Sequence, residues 1–228
     1  MPVTDLLRRN ACEYPDEVAL IELNPESSGT KKRSFKEFDL VQQTESNSFR
    51  RQLTWKVFDE KANRVANLLI DRGVVKGDKV AILMFNTLEW LPIYFGILRS
   101  GAIAVPFNFR YTADEISYCA SLADVKVLFF GPEFVNRIMT NADELSRERI
   151  LFYVGDNCPD FAEPYFMRVS DHSCVEPAIA STLTNDDFGA IYFSSATAFR
   201  MTSGFVPFKS TALLPVQSDP IQWNFAPV

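Results

Sequence analysis

Between Thr54 and Val154 the apolar positions switch repeatedly from helical to strand spacing. Phe58, Ala62, Val65 and Leu69 share one helical face behind Thr54, a capping residue, and Gly73 supplies a stop. Lys76-Gly77-Asp78 reads as a turn, Val80 to Phe85 as a buried strand, and Leu88 to Arg99 as a helix that tolerates Pro92 in its first turn. Ala102 to Phe107 is a further strand. Thr112-Ala113-Asp114-Glu115 has the capping-box form, a hydroxyl followed three residues later by glutamate, and opens a helix running to about Leu122. Val125 to Phe130 is the next strand, Glu133 to Leu145 a helix and Ile150 to Val154 a strand. Upstream, Val3 to Glu13 predicts a short helix closed by Tyr14-Pro15, and Val18 to Leu23 a strand. Strands alternating with helices at this spacing require crossover connections. The class is α/β, a mostly parallel sheet flanked by helices.

Three stretches break the rhythm. Asn24 to Gln52 is rich in Ser, Gln, Asn and charge and reads as a loop insertion. Within it Ser34-Phe35-Lys36-Glu37-Phe38-Asp39 resembles Thr54-Trp55-Lys56-Val57-Phe58-Asp59, a single pair that chance or a local duplication explains without a solenoid. The pattern lapses again from Gly155 to about Leu183 and resumes at Thr184-Asn185-Asp186-Asp187 before an apolar strand, Gly189 to Phe193. From Met201 to Val228 the only charges are Lys209 and Asp219, and Pro207, Pro215, Pro220 and Pro227 interrupt any element. The division expected is therefore one α/β unit over 1–200 and a disordered tail over 201–228.

Composition narrows the function classes. A chain of 228 residues, 47% hydrophobic with 20 phenylalanines, can bury a core. The net charge of -6 argues against a nucleic-acid partner, and the cluster Lys31-Lys32-Arg33 with Arg50-Arg51 reads as a solvated loop. Cys12, Cys119, Cys158 and Cys174 have no CxxC spacing and His172 is the single histidine, so neither zinc nor a disulfide framework is expected. Met1-Pro2-Val3-Thr4-Asp5 lacks signal-peptide form, and the longest apolar run, Trp90 to Leu98, is too short to span a bilayer; a cytoplasmic protein with reduced thiols is expected.

Glycine-rich dinucleotide, Walker and nucleophile-elbow motifs do not occur. His172 lies beside Asp171 and Cys174, but neighbours in one loop seldom form a triad. Asp186-Asp187 and Asp114-Glu115 stand at element entrances and read as caps.

Several ordered blocks carry a resemblance. Leu53-Thr54-Trp55 with Ala62-Asn63-Arg64-Val65-Ala66-Asn67, then Gly73 to Ile82, Gly96 to Ala102 and Val105 to Thr112, together resemble the N-terminal region of the AMP-forming acyl-CoA synthetases of the adenylate-forming superfamily. The similarity runs from about Asp5 to Thr197. It implies an incomplete N-terminal subdomain of that fold and a family chemistry using ATP, Mg2+ and CoA on a small-molecule carboxylic acid. It also implies that the strand Gly189 to Phe193 leads into a phosphate loop of the form Ser-Ser-Gly-Thr-Thr-Gly-x-Pro-Lys, where glycines let backbone N–H groups approach oxyanions and lysine adds charge. Ser194, Ser195 and Thr197 match and are the remnant nucleotide-binding residues; no catalytic residue and no metal ligand is assigned. Ala196 replaces the first glycine, Ala198 and Phe199 follow where threonine and glycine belong, and no lysine occurs before Lys209. A Cβ in the left-handed region costs about 1 kcal/mol or more, so this loop should hold phosphate poorly.

The family's later motifs, for adenine, magnesium, ribose and the catalytic lysine, have no counterpart in Met201 to Val228. One account is a small deletion near Ala196: family codons for Gly-Phe-Pro, read one nucleotide later, give the Ala-Phe-Arg of Ala198-Phe199-Arg200, although Met201 does not follow from a lysine codon. The alternative is a divergent C-terminus under its own selection. Three functions stand: an acyl-CoA synthetase fragment inactive alone, a non-catalytic protein that associates with itself or a complementing C-terminal chain, and a simple ligand-binding module. The acyl substrate is not legible.

Overall fold

The structure, a computed structural model, describes residues 2–23, 50–195 and 201–207, with Ser194, Ser195 and 201–207 as backbone only. Helix α1 (Val3–Glu13) leads to β1 (Val18–Leu23), which pairs antiparallel with β2 (Arg50–Thr54) in a small separate sheet. Arg51 stands across from Glu22, with the guanidinium 3.6 Å from the carboxylate. That cross-strand charge pair lets a polar segment form a strand. The expected insertion is corrected accordingly: Arg50 to Gln52 belong to β2, while residues 24–49, including the hexapeptide at Ser34, lie outside the described residues.

Helix α2 (Trp55–Asp71) begins as its sequence dictates, the Thr54 hydroxyl accepting from the Val57 N–H at 3.3 Å. Its predicted face, Phe58, Ala62, Val65 and Leu69, is buried. Gly73 ends it with φ +78°, a left-handed conformation that glycine adopts without strain. Then come β3 (Lys79–Leu83), α3 (Trp90–Arg99), β4 (Ile103–Pro106), α4 (Ala113–Leu122) and β5 (Val125–Phe130). The Thr112–Glu115 capping box is fully formed. After β5 come α5 (Val135–Thr140), α6 (Ala142–Glu148), β6 (Ile150–Tyr153), β7 (Glu163–Pro164), α7 (Tyr165–Ser170), β8 (Phe188–Ser195) and β9 (Met201–Pro207).

The main sheet has the order β7-β6-β5-β3-β4-β8-β9, parallel throughout except for the β8–β9 pair. Strand alternation divides the core. Val80 and Ile82 join Val127, Phe129 and Phe152 beneath α2 and α3, whereas Ala81 and Leu83 join Leu128 and Phe130 beneath α4, α5 and α6. A third cluster seats Leu7 of α1 on Phe58 and Ala62 of α2.

Three elements differ from expectation. The helix predicted from Glu133 to Leu145 is broken into a 3-10 turn at Pro132–Phe134, α5 and α6. The break falls at Asn141, φ -121° and ψ 25°, whose side-chain amide donates to the Ser117 hydroxyl at 3.0 Å instead of pointing to solvent. The stretch from Gly155 to Leu183 contains α7, fixed because Tyr165 is buried and its hydroxyl donates to Glu89 at 3.2 Å. Lastly, the segment after Met201 is not without structure: β9 pairs with β8 from Ser195↔Met201 to Phe188↔Pro207. Hairpin pairing recruits backbone groups whatever the side-chain period, which is why the pattern missed it. Residues 208–228 lie outside the described residues.

Candidate functional site

After β3 the chain crosses to β4 on one side and then returns past β3 to β5 on the other. Strand order thus reverses beside β3, and the carboxyl ends of the strands there form the place where α/β sheets hold ligands. β8 reaches the same edge next to β4. Ser194 and Ser195 are its last two residues, paired with Thr202 and Met201, so both serines, expected in the turn after Phe193, stand within the strand itself. Thr197 lies outside the described residues, as do all of 196–200.

Around this edge the loops after β3, β4 and β5 converge through rings. Phe85 lies 5.6 Å from Phe109 and 5.3 Å from Phe134, centroid to centroid, and Phe107 lies 6.1 Å from Phe193 of β8. Phe130 stacks at 6.0 Å on Phe161. Arg137 of α5 pins the β4 loop, donating to the Phe109 carbonyl at 2.6 Å and the Tyr111 carbonyl at 3.0 Å with its guanidinium 5.5 Å above the Phe134 ring. Asn108 closes the turn by accepting from the Arg110 N–H at 2.9 Å. Pattern reading did not single out these rings. Phe85, Phe107 and Phe130, each the last residue of a strand predicted from the sequence, were the available signal, but residues from separate loops meet only once the sheet order is known.

Burial raises the Glu133 carboxyl beside this cluster. The Tyr111 phenol is likewise raised, and Cys119 is pushed up to about 11 by burial, partly offset by its hydrogen bond to Tyr111. Cys119 is thus held as a thiol and is no ready nucleophile.

His172 has no triad. Its Nδ1 lies 2.8 Å from the Arg168 carbonyl and its Nε2 3.6 Å from Asp71. Its loop is clasped to α2 instead: Arg64 donates to the Ser170 and His172 carbonyls, and Asn67 to those of Ser173 and Val175. The acidic pairs act as caps, Glu115 within its box and Asp187 accepting from the Thr184 N–H at 2.8 Å while bridging to Lys76 at 2.6 Å. None of the four cysteines is in a disulfide. Among the described residues no group of three or more His, Cys, Asp or Glu converges, and no helix is long and apolar enough to cross a membrane.

The sequence profile of the AMP-binding enzyme family matches residues 7–198. A medium/long-chain-fatty-acid–CoA/3-oxocholest-4-en-26-oate–CoA ligase of Mycolicibacterium smegmatis is 32% identical over 152 residues, covering 65% of this chain and 27% of that protein. A crotonobetaine/carnitine–CoA ligase of Citrobacter koseri is 30% identical over 154 residues, covering 66% of this chain and 29% of the relative. The chain thus spans less than a third of the length of either relative. Among solved structures, an anthranilate–CoA ligase in complex with anthranoyl-AMP superposes with TM-score 0.74 at 22% identity, covering 92% of this chain and 35% of that one. A Mycobacterium tuberculosis fatty acyl CoA synthetase gives TM-score 0.69 at 22% identity, covering 91% and 35%. At these identities the superpositions establish the shared fold.

Proposed function

Because the chain belongs to the AMP-binding enzyme family, we propose that it carries the first part of a fold built to activate a carboxylic acid, and that it does not complete the activation alone. In the reaction proposed for the whole fold, a carboxylate oxygen attacks the α-phosphorus of ATP and pyrophosphate leaves. The acyl-adenylate then passes its acyl group to the thiol of CoA, releasing AMP. Stabilising the leaving pyrophosphate demands preorganised donors and cations around its oxyanions.

The observation that carries the reading is the register of β8 and β9. Ser195 pairs with Met201, and the sequence between them is Ala196, Thr197, Ala198, Phe199 and Arg200. That segment contains no glycine to bring N–H groups close to phosphate, and Arg200 is its one cation. The neighbouring edge is lined by the Phe107–Phe193 and Phe85–Phe109–Phe134 contacts, and the Arg137 guanidinium there is engaged with the Phe109 and Tyr111 carbonyls. These residues do not fit a triphosphate. Ser194, Ser195 and Thr197 remain the hydroxyl part of a loop whose other part is replaced, and nothing here is assigned to Mg2+ or CoA.

Carboxylate-dependent exchange of labelled pyrophosphate into ATP is the direct test. The purified chain should match a protein-free blank with fatty and aromatic acids alike; exchange above that blank refutes the proposal.

A second reading, association with a complementing chain, has its own support. β9 stands at the end of the sheet order, and its outer edge is unpaired among the described residues. Such an edge is a template for a further strand. Sedimentation of the chain alone and with the remaining portion of a family ligase tests this, a stable one-to-one complex being the supporting result and two independent species the opposing one.

A further inference from the structure

Asn63, Arg64 and Asn67 occupy one turn of α2 and hold the stretch 170–176 by its main chain. Asn67 donates to the carbonyls of Ser173 at 2.8 Å and Val175 at 2.9 Å, Asn63 to that of Cys174 at 3.0 Å, and Arg64 to those of Ser170, at 3.1 Å, and His172. The side chains of the stretch lie largely outside this clasp. Val175 is 71% exposed, and no side chain between Tyr165 and Ala180 is buried. Glu176 closes the far end, 3.0 Å from Arg8 and 3.7 Å from Arg99.

Lifting this stretch gives up hydrogen bonds and one charge contact, but no core packing. Arg64 and Asn67 are already half-exposed, so water can replace the carbonyls they lose, at a modest net cost per bond. Buried Asn63 keeps Asp59 at 3.2 Å and Arg99 at 2.6 Å, and Arg99 keeps Asp59. No buried donor is orphaned. Both flanks stay anchored, by Tyr165 on one side and Ala180 on the other. A unit with few buried apolar contacts opens at a free energy well below that of global unfolding.

We propose that residues 170–176 form a strap that opens as a unit while the sheet stays folded. Its release bares a donor-rich face made by Arg64 and Asn67 of α2 with Arg8 of α1, and it removes the tie that Glu176 makes between α1 and the end of α3. The strap is independent of the nucleotide edge. It also gives the Asn63-Arg64-Val65-Ala66-Asn67 block a task that core packing of Val65 and Ala66 does not supply.

Cleavage of the folded 228-residue chain by thermolysin at the Cys174–Val175 bond, located by mass spectrometry, tests it. A protease needs the segment lifted free, so the cleavage rate follows the open population. Below the unfolding transition that rate should be nearly independent of urea, because opening exposes little surface. Asn67→Ala, a half-exposed change that removes two clasp bonds, should speed cleavage about tenfold, and Glu176→Gln about threefold, with the urea midpoint little altered. Cleavage that rises with urea in step with global unfolding overturns the proposal, as does a rate unchanged in both variants.

Discussion

Among the described residues Arg99 is the bulkiest of the fully buried side chains. Its guanidinium donates to Asp59 and Asn63 side-chain oxygens, each at 2.6 Å, and to the Asp59 and Thr4 carbonyls, while Glu176 lies 3.7 Å from its Nε as a charge contact. One cation therefore ties α1, α2 and the loop before β8 to the last turn of α3. Removing it leaves Asp59 facing a void, so Arg99→Ala should lower stability by about 3–5 kcal/mol in urea unfolding. Arg99→Lys should recover little, because an ammonium cannot span both the Asp59 and Asn63 oxygens as a planar fork does. Glu133 predicts the opposite sign. Burial raises its carboxyl above the unfolded value near about 4.3, so the folded state disfavours the charge. That penalty is absent below the unfolded pKa and grows as pH rises through the folded one. Glu133→Gln should accordingly raise the urea midpoint at pH 7 and leave it unchanged at pH 3; equal effects at both would show that charge is not the cause.

At the scale of elements, α2 and α3 approach so closely that a Cβ on Gly96 would lie 2.5 Å from Val65 Cβ and 2.8 Å from the Ala62 carbonyl oxygen. The backbone oxygen cannot rotate away. Gly96→Ala should push the helices apart and cost about 1–3 kcal/mol, visible as a lower melting temperature. What the sequence made legible follows from the same local physics. Thr54, Gly73 and the Thr112–Glu115 box act within one turn of themselves, and β3 and β5 are short apolar runs buried on both faces, so spacing sufficed. The elements it missed depend on partners far along the chain: α7 on Glu89, the break at Asn141 on Ser117, and β9 on β8. The candidate site divides in the same way. The apolar core of β8 was legible as a strand, though its extension through Ser194 and Ser195 depends on pairing with β9, whereas the rings of Phe85, Phe109 and Phe134 meet only because the sheet order places three loops together.

Across the whole molecule, carboxylates fasten the irregular stretch between β6 and β8 to its surroundings: Glu176 to Arg8 at 3.0 Å, and, with depressed carboxyls, Glu163 to Arg72 and Asp187 to Lys76. Glu163 is held below the usual carboxylate range by its hydrogen bonds to Arg72 and by the charges of Arg72 and Arg168, and Asp187 by its hydrogen bonds to Lys76 and Thr184. The centre of the parallel sheet is held mainly by apolar contacts, with the Lys79–Asp124 and Lys126–Asp78 pairs at its margin. A carboxyl whose folded pKa is depressed contributes stability that is fully present above its unfolded pKa and lost as pH falls through the folded value. Both groups are partly exposed, so solvent screening keeps each contribution modest and salt-sensitive. Acid should therefore loosen residues 155–187 before the core. Hydrogen exchange measured stepwise from pH 6 to pH 3, corrected for intrinsic rates, should show protection falling first in β7 and α7 while β3 and β5 stay protected. Glu163→Gln should shift that early loss to neutral pH, since the bidentate clasp on Arg72 is then absent at every pH. Simultaneous loss across all strands would mean that the two carboxylates are incidental to the order in which the fold opens.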